Sequence, residues 1–308
     1  MNFRTEIEIE KANFQFSHND KVVLLGSCFS DNIGRKLQRY RFQTAINSHG
    51  IVFNPESAAT ALEDVIDNKR YTEENLINHN GLYVSLNHHG RFSCENADAT
   101  IKEINDSITK QHEHLKHARV LFITFGSAWA YRYKQTNRIA TNCHKIPQAS
   151  FEKVLLSNEK ITARWSGLLG KLYAFNEDMQ VVFTVSPVRY WRDGALQNQL
   201  SKSHLIIAVH ALKEKFNFAN YFPSYELVMD DLRDYRFFKE DMLHPNDVAI
   251  NYVWEKLVAW CMSDETRKKL NQLEPLLRFT EHRTINSNAK DFEIVLAEKE
   301  RQIQQLIL

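Results

Sequence analysis

The sequence predicts an α/β protein: a doubly wound, mainly parallel sheet with helices on both faces, a small hairpin insertion and a C-terminal helical tail. Three observations carry this prediction. Val22–Leu25, Val120–Phe125 and Val181–Val185 are apolar runs without alternation, the pattern of strands covered on both faces. Stretches of helical periodicity separate them, which indicates crossover connections of right-handed sense. The first run stops at Gly26 and passes directly into a helix-like segment, as strands do at the carboxyl edge of such sheets.

In chain order, Glu6–Glu10 and Phe14–Phe16 alternate at period two and read as half-buried edge strand. After the first core run, Ile33 and Leu37 share a helical face, and Ala58–Asp67 forms a second helix behind Asn54-Pro55. Tyr71–Glu95 breaks the rhythm, and the His88-His89-Gly90 turn signal suggests a hairpin insertion. Ala99–Ala118, Ile161–Phe175, Ser201–Phe216 and Asp247–Met262 read as helices, and Tyr225–Met229 is a weaker strand candidate. Past Thr266 the chain is helical and charged. The expected organisation is therefore one α/β domain over residues 1–265, with its insertion at 71–95, followed by a helical extension over 266–308.

Composition narrows the function. The chain has 308 residues, 39 basic and 38 acidic, and no basic block of the kind nucleic-acid binders carry. No apolar run approaches the roughly 18 residues of a membrane helix. The amino terminus, MNFRTEIEIEK, lacks the apolar centre of a signal peptide. The 4 cysteines, at positions 28, 94, 143 and 261, form no CxxC pair. That pattern argues against a disulfide framework and against zinc, and for a reducing compartment. A cytoplasmic protein without metal or cofactor is expected. No Gly-x-Gly-x-x-Gly follows a predicted strand, which disfavours a dinucleotide-binding role.

The chemistry concentrates at the first strand–helix turn. Ser27 and Cys28 follow Gly26, where backbone N–H groups and the helix dipole stabilise negative charge. A thiol there is expected to have a lowered pKa, whereas a serine hydroxyl needs a base. Ser27 also suits the helix N-cap. The base candidate is His244, in Asp241-Met242-Leu243-His244-Pro245-Asn246. An aspartate three residues before a histidine can orient the imidazole and stabilise the imidazolium. Arg189, at the end of the third core run, can grip a carboxylate or phosphate of a substrate or form a structural ion pair. The trio Asn142-Cys143-His144 lacks the ligand set of a zinc site, and Asn142 and His144 are read as pocket-lining. Ser201-Lys202 is read as a helix start. His88-His89 and His112/His114/His117 are read as solvated, and Arg233–Arg236 as a structural network beneath the Asp241–His244 loop.

LGSCFS and DMLHPN resemble the first and last blocks of SGNH (GDSL-type) hydrolases. More closely, the chain resembles the bacterial GSCFA-domain family. It carries Gly26-Ser27-Cys28-Phe29 with Ser30 in place of alanine, then Gly50–Pro55, Thr141–Pro147, Ser186–Arg189, Arg233–Phe237 and His244-Pro245. The resemblance implies an SGNH-like, flavodoxin-like sheet and an acyl-transfer site. Cys28 aligns with the nucleophilic serine of Gly-Asp-Ser; a one-residue slip makes Ser27 the nucleophile instead. Gly50 is the counterpart of the oxyanion glycine. The oxyanion asparagine is replaced in Gly126-Ser127-Ala128, so Asn142, Ser127 or a backbone N–H must supply that donor. Asn54 joins Arg189 and His144 as a substrate-binding candidate. The implied activity is hydrolysis or acyl transfer on an acyl ester or thioester, small or saccharide. A non-catalytic module binding a glycan or phosphorylated ligand is the alternative. The tail residues Ile303, Leu306, Ile307 and Leu308 suggest pairing of two copies.

Overall fold

The computed structural model describes residues 5–281 and 289–307. The chain begins with β1 (Lys21–Gly26), α1 (Cys28–Arg39), β2 (Gln43–Ile46) and α2 (Pro55–Ile66). The insertion carries β3 (Ile77–His79) and β4 (Leu82–Val84), and α3 (Ala97–Leu115) leads back to β5 (Ala118–Phe125). Next come β6 (Trp129–Tyr133), β7 (Arg138–Ala140) and β8 (Phe151–Leu155), then α4 (Asn158–Phe175), β9 (Gln180–Val185), α5 (Gly194–Lys215) and β10 (Ala219–Tyr221). A short α6 (Ser224–Glu226) runs into a π-helical turn over Leu227–Leu232. The chain closes with α7 (Asp247–Cys261), α8 (Asp264–Glu281) and α9 (Ala289–Ile307).

The central sheet has five parallel strands in the order β10-β9-β5-β1-β2. Counted along the chain that order is 2-1-3-4-5, which puts the topological switch point between β1 and β5. The three apolar runs are its three inner strands. Val23, Leu25, Leu121, Ile123, Val181 and Phe183 face one layer, packed on Leu62 of α2, Trp165 of α4 and Leu205 of α5. Val22, Leu24, Val120, Phe122 and Val182 face the other layer, with Ile33 and Leu37 of α1, Val253 and Leu257 of α7, Leu270 and Leu273 of α8 and Ile303 of α9. The period-two alternation of a strand sends successive residues into opposite cores, and each fully buried aliphatic side chain contributes about 1.5–3 kcal/mol.

Helices α1 and α7 lie side by side and parallel. Lys36 bonds Asn251, and one turn further on the Tyr40 and Trp254 rings stack at 5.6 Å. Their N-termini therefore open at the same edge of the sheet.

Several expectations need correction. Residues 6–16 form no strand; Phe16 makes only a single bridge to Met262. Phe14 and Phe16 are nonetheless buried, and Ala12 and Phe16 donate backbone N–H to the carbonyls of Trp260 and Cys261, so the segment covers the end of α7. Tyr225–Met229 is helical, and the edge strand is β10 instead. Ser201 and Lys202 lie inside α5, which starts at Gly194. The antiparallel sheet β7-β6-β8 is an addition, since its half-buried strands are too short and polar to stand out. The insertion hairpin turns at Asn80-Gly81, both at positive φ, as two-residue hairpin loops require. His88 and His112 are buried, not solvated. His88 stacks on His49 with ring centroids 4.2 Å apart, and His112 Nδ1 lies 2.7 Å from the Val65 carbonyl. Leu308 and the first four residues lie outside the described residues. No helix among the described residues is long and apolar enough to cross a membrane.

Candidate active site

The turn after β1 is built around a glycine that nothing can replace. Gly26 has φ +136°, and a side-chain carbon there would sit 2.2 Å from the Thr124 carbonyl oxygen of β5. Ser27 continues with an N–H donated to the same carbonyl, and its hydroxyl caps α1 by accepting the Phe29 N–H at 3.4 Å. Ser27 is 1% exposed, whereas Cys28, the first residue of α1, is half-buried. Of the two candidates, the serine is buried and occupied as the cap, and Cys28 keeps part of its surface exposed. Ser30 donates from its hydroxyl to the Leu25 carbonyl and lies 2.7 Å from the Thr124 hydroxyl. It locks α1 to β5.

The Cys28 thiol differs from expectation. Burial raises its pKa first and the Asp31 carboxylate raises it further, while the N–H groups of Cys28 and Phe29 and the Lys202 ammonium pull it down. The net direction is upward. The helix N-terminus is present, but desolvation and a like-signed neighbour outweigh it. Asp31 is fixed by Asn47, whose Nδ2 donates to it at 2.5 Å and whose Oδ1 accepts the Gly26 N–H at 2.8 Å.

His244 and Asp241 form a closed pair. Asp241 Oδ2 lies 2.6 Å from His244 Nδ1, and Oδ1 accepts the N–H of both Leu243 and His244 at 2.9 Å. Those two backbone groups and then the imidazole hold the carboxyl down at about 2. The loop is pinned by Lys239 donating its N–H to the His244 carbonyl, by a Phe238–Pro245 bridge, and by Asn246, which caps α7 and donates to the Arg236 carbonyl. The contribution of Arg233–Arg236 here is thus mainly backbone, since the Arg233 and Arg236 side chains are 75% exposed. Because α1 and α7 are parallel, His244 and Cys28 both sit at helix starts on the carboxyl edge. Among the described residues no hydrogen bond joins His244 to Cys28 or Ser27.

The remaining candidates spread around this edge. Gly50 has φ +76° and is pressed by His89, but its N–H is donated to the Asn47 carbonyl. Ser127 donates its N–H to the Phe53 carbonyl, and its hydroxyl accepts the Trp129 N–H. Asn54 caps α2, with both amide atoms on Ser57. Asn142 accepts the His144 N–H through Oδ1, while Nδ2 donates to no described residue and lies beside Gly90 of the insertion. His144 faces the insertion too: Nε2 lies 2.8 Å from the Ser85 carbonyl, and burial lowers its pKa. Cys143, in the same loop, has its thiol pushed up by burial. Among the described residues no cluster of His, Cys, Asp or Glu can hold a metal. Arg189 lies against Met229 and over the Trp191 ring, and among the described residues no carboxylate pairs with it.

Two residues carry the site without standing out in the sequence. Asn47, at positive φ, ties Gly26 to Asp31. Lys202 is fully buried and donates to the carbonyls of Gly126 and Ser186, both at 2.6 Å. The neighbouring Ser201 hydroxyl accepts the Ala128 N–H, so the lysine alone is of interest here. A concavity of about 710 Å³ lies elsewhere, between α1, α7 and α8, and none of the predicted site residues lines it.

Known structures with a similar course include a carbohydrate esterase family 3 enzyme from Talaromyces cellulolyticus, at 7% identity and TM-score 0.38, covering 84% of this chain and 98% of that one. A family 3 carbohydrate esterase from Clostridium thermocellum matches at 10% identity and TM-score 0.35, over 82% and 98% of the two chains. An acetyl xylan esterase from Butyrivibrio proteoclasticus matches at 9% identity and TM-score 0.38, over 82% and 65%. No curated protein matches the chain. The GSCFA family profile matches residues 21–257, from the first residue of β1 into α7 and so through both the Cys28 turn and the Asp241–His244 loop; the chain belongs to the GSCFA family.

Proposed function

We propose that this protein is a thiol-dependent acyl-ester hydrolase or acyltransferase, with Cys28 as nucleophile, His244 as base and Asp241 as its orienting partner. The observation that carries this reading is the closed Asp241–His244 pair at the start of α7, on the same sheet edge as the half-buried Cys28 at the start of α1. Cys28 Sγ attacks the acyl carbonyl as its proton passes to His244. The tetrahedral oxyanion meets the N–H groups at the start of α1 and the uncommitted Nδ2 of Asn142. The leaving alcohol takes its proton from the imidazolium, which leaves a thioester on Cys28. Water, or an acceptor alcohol in a transferase, then attacks the thioester with His244 as base, and the thiol is restored. The exposed rings of Phe53 and Trp191 and the unpaired Arg189 flank the edge, and suit an acylated saccharide or one bearing an anionic group.

The test is to trap the acyl-enzyme by mass spectrometry with an activated acetyl ester and map the adduct. An adduct on Cys28 that is lost in Cys28→Ala supports the reading. Full turnover by Cys28→Ala with no adduct on Cys28 or Ser27 sinks it.

A second reading, a non-catalytic glycan- or phospholigand-binding module, is favoured by the raised thiol and by the backbone N–H groups of Gly50 and Ser127, both spent inside the fold. Slow labelling of Cys28, unchanged in His244→Ala, together with ligand binding and no turnover, supports it.

A further inference from the structure

Among the described residues, the buried lysine of α5 has no carboxylate partner. Lys202 is 0% exposed. Its Nζ is held by two carbonyls, those of Gly126 at the end of β5 and Ser186 at the end of β9. An ammonium has three donors, and these two bonds leave the third uncommitted among the described residues. Gly126 in turn abuts the nucleophile turn: a side-chain carbon built on it would lie 3.5 Å from Ser27 Cβ and 3.2 Å from the Phe53 carbonyl oxygen. The lysine thus bridges the end of the strand beside the switch point to the end of the next one, and the first of these ends packs against Ser27 in the turn that presents Cys28. Burying an unpaired charge is costly, and two carbonyl dipoles offset that cost only in part.

We propose that Lys202 is the countercharge of the Cys28 thiolate, a positioning residue that stabilises negative charge on Sγ through the field of its ammonium rather than by touching the substrate. This rests on Cys28 being the nucleophile in the function proposed above.

The charges around Cys28 decide how strong this effect must be. From α1, Asp31 opposes the thiolate, and from α5, Lys202 favours it. Around Lys202, burial pulls its pKa down to about 7, Cys28 raises it, and Arg189, beyond the end of β9, lowers it. The Tyr225 ring lies 5.7 Å from Nζ and contributes only its face. The two groups therefore titrate as a pair. Thiolate with ammonium and thiol with free amine contain the same number of protons, so the pair converts from one form to the other without net uptake or release.

The experiment measures the pair without any ester, so its failure and the failure of the acyl-transfer reading are separable. Iodoacetamide alkylation of Cys28 is followed against pH by mass spectrometry of the Cys28 peptide, in the wild-type chain and in Lys202→Met. Near and below pH 7, where Lys202 still carries charge, alkylation of Cys28 is expected to be about three- to tenfold slower in the variant. Equal rates at that pH in a folded Lys202→Met chain assign Lys202 to a purely structural role and overturn the proposal. If Lys202→Met does not fold, the reciprocal measurement replaces it: side-chain NMR of ¹⁵N-lysine-labelled wild type and Cys28→Ala. Loss of the thiolate is expected to lower the Lys202 midpoint, and a Lys202 titration identical in both chains overturns the proposal. Coupling without turnover would leave this inference standing and remove the hydrolase reading.

Discussion

Asp241 Oδ2 lies 2.6 Å from Nδ1 of His244, and its other oxygen takes the N–H of His244 itself. One carboxylate thus fixes both the backbone and the ring of the same histidine, leaving Nε2 as the nitrogen free to exchange a proton. Asp241→Asn keeps the shape but replaces an acceptor oxygen with an amide, which disturbs the tautomer. Acyl-ester turnover is expected to fall about 10²–10⁴-fold in His244→Ala, and comparably in Asp241→Asn, with little change in Tm. The check is steady-state kinetics on an activated ester. Wild-type rates in both variants would remove the pair from the chemistry.

The Cys28 thiol supplies a second prediction. Asp31, on the first turn of α1, raises its pKa, and burial raises it more. Asp31→Asn removes the negative charge yet can still accept the Asn47 amide hydrogen through its own oxygen. The thiolate fraction near neutral pH should rise, and alkylation of Cys28 should accelerate by about three- to tenfold. Cys261, fully buried with its thiol pushed far up, should stay unlabelled and serves as the internal reference. Equal Cys28 labelling rates in both chains would show that Asp31 does not act on the thiol.

The contrast between what the residues announce and what they conceal follows from the physics of each. The runs of β1, β5 and β9 are legible because strands covered on both faces must be apolar throughout. Asp241 and His244 are legible because the pair is local, closed within one short loop. β2 is only four residues long and half-exposed, so its pattern is too weak to read. Lys202 is illegible for a different reason: a lysine in a helix is ordinarily solvated, and only the packing of α5 across the ends of β5 and β9 reveals that this one is buried. Asn47 works through a positive φ and two contacts distant in sequence, neither of which has a local signature. Gly50 and Ser127 show the converse. The resemblance implies oxyanion donors at these positions, but the fold consumes their N–H groups in turns.

The nucleophile turn should be intolerant of the smallest change. In Gly26→Ala the added methyl meets the Thr124 carbonyl at 2.2 Å, on a backbone with φ +136°. Relief requires β1 and β5 to separate at the switch point, where they are hydrogen-bonded along their length. The expected loss is about 3 kcal/mol of stability, read as a lower urea midpoint with an unchanged slope. A loss below about 1 kcal/mol would mean that the turn relaxes locally.

The docking of the C-terminal helices onto α1 should depend on acid. Glu274 of α8 accepts hydrogen bonds from Arg39 at 2.6 Å and from the Tyr40 hydroxyl at 2.5 Å. Burial works against its charge, but donation from Arg39, Tyr40 and Arg278 prevails and holds the carboxyl at about 2. A carboxyl depressed in the folded state contributes stability that is fully present above its unfolded pKa of about 4.3 and is lost as pH falls towards the folded value. The wild-type Tm should therefore fall between roughly pH 4.5 and pH 2 by more than that of Glu274→Gln, and the two chains should converge at the acid end. Above that window the variant should be the less stable of the two, because Arg39 and Tyr40 lose a charged acceptor. Parallel Tm–pH curves for the two chains would show that the Arg39–Tyr40–Glu274 contact does not hold α8 in place.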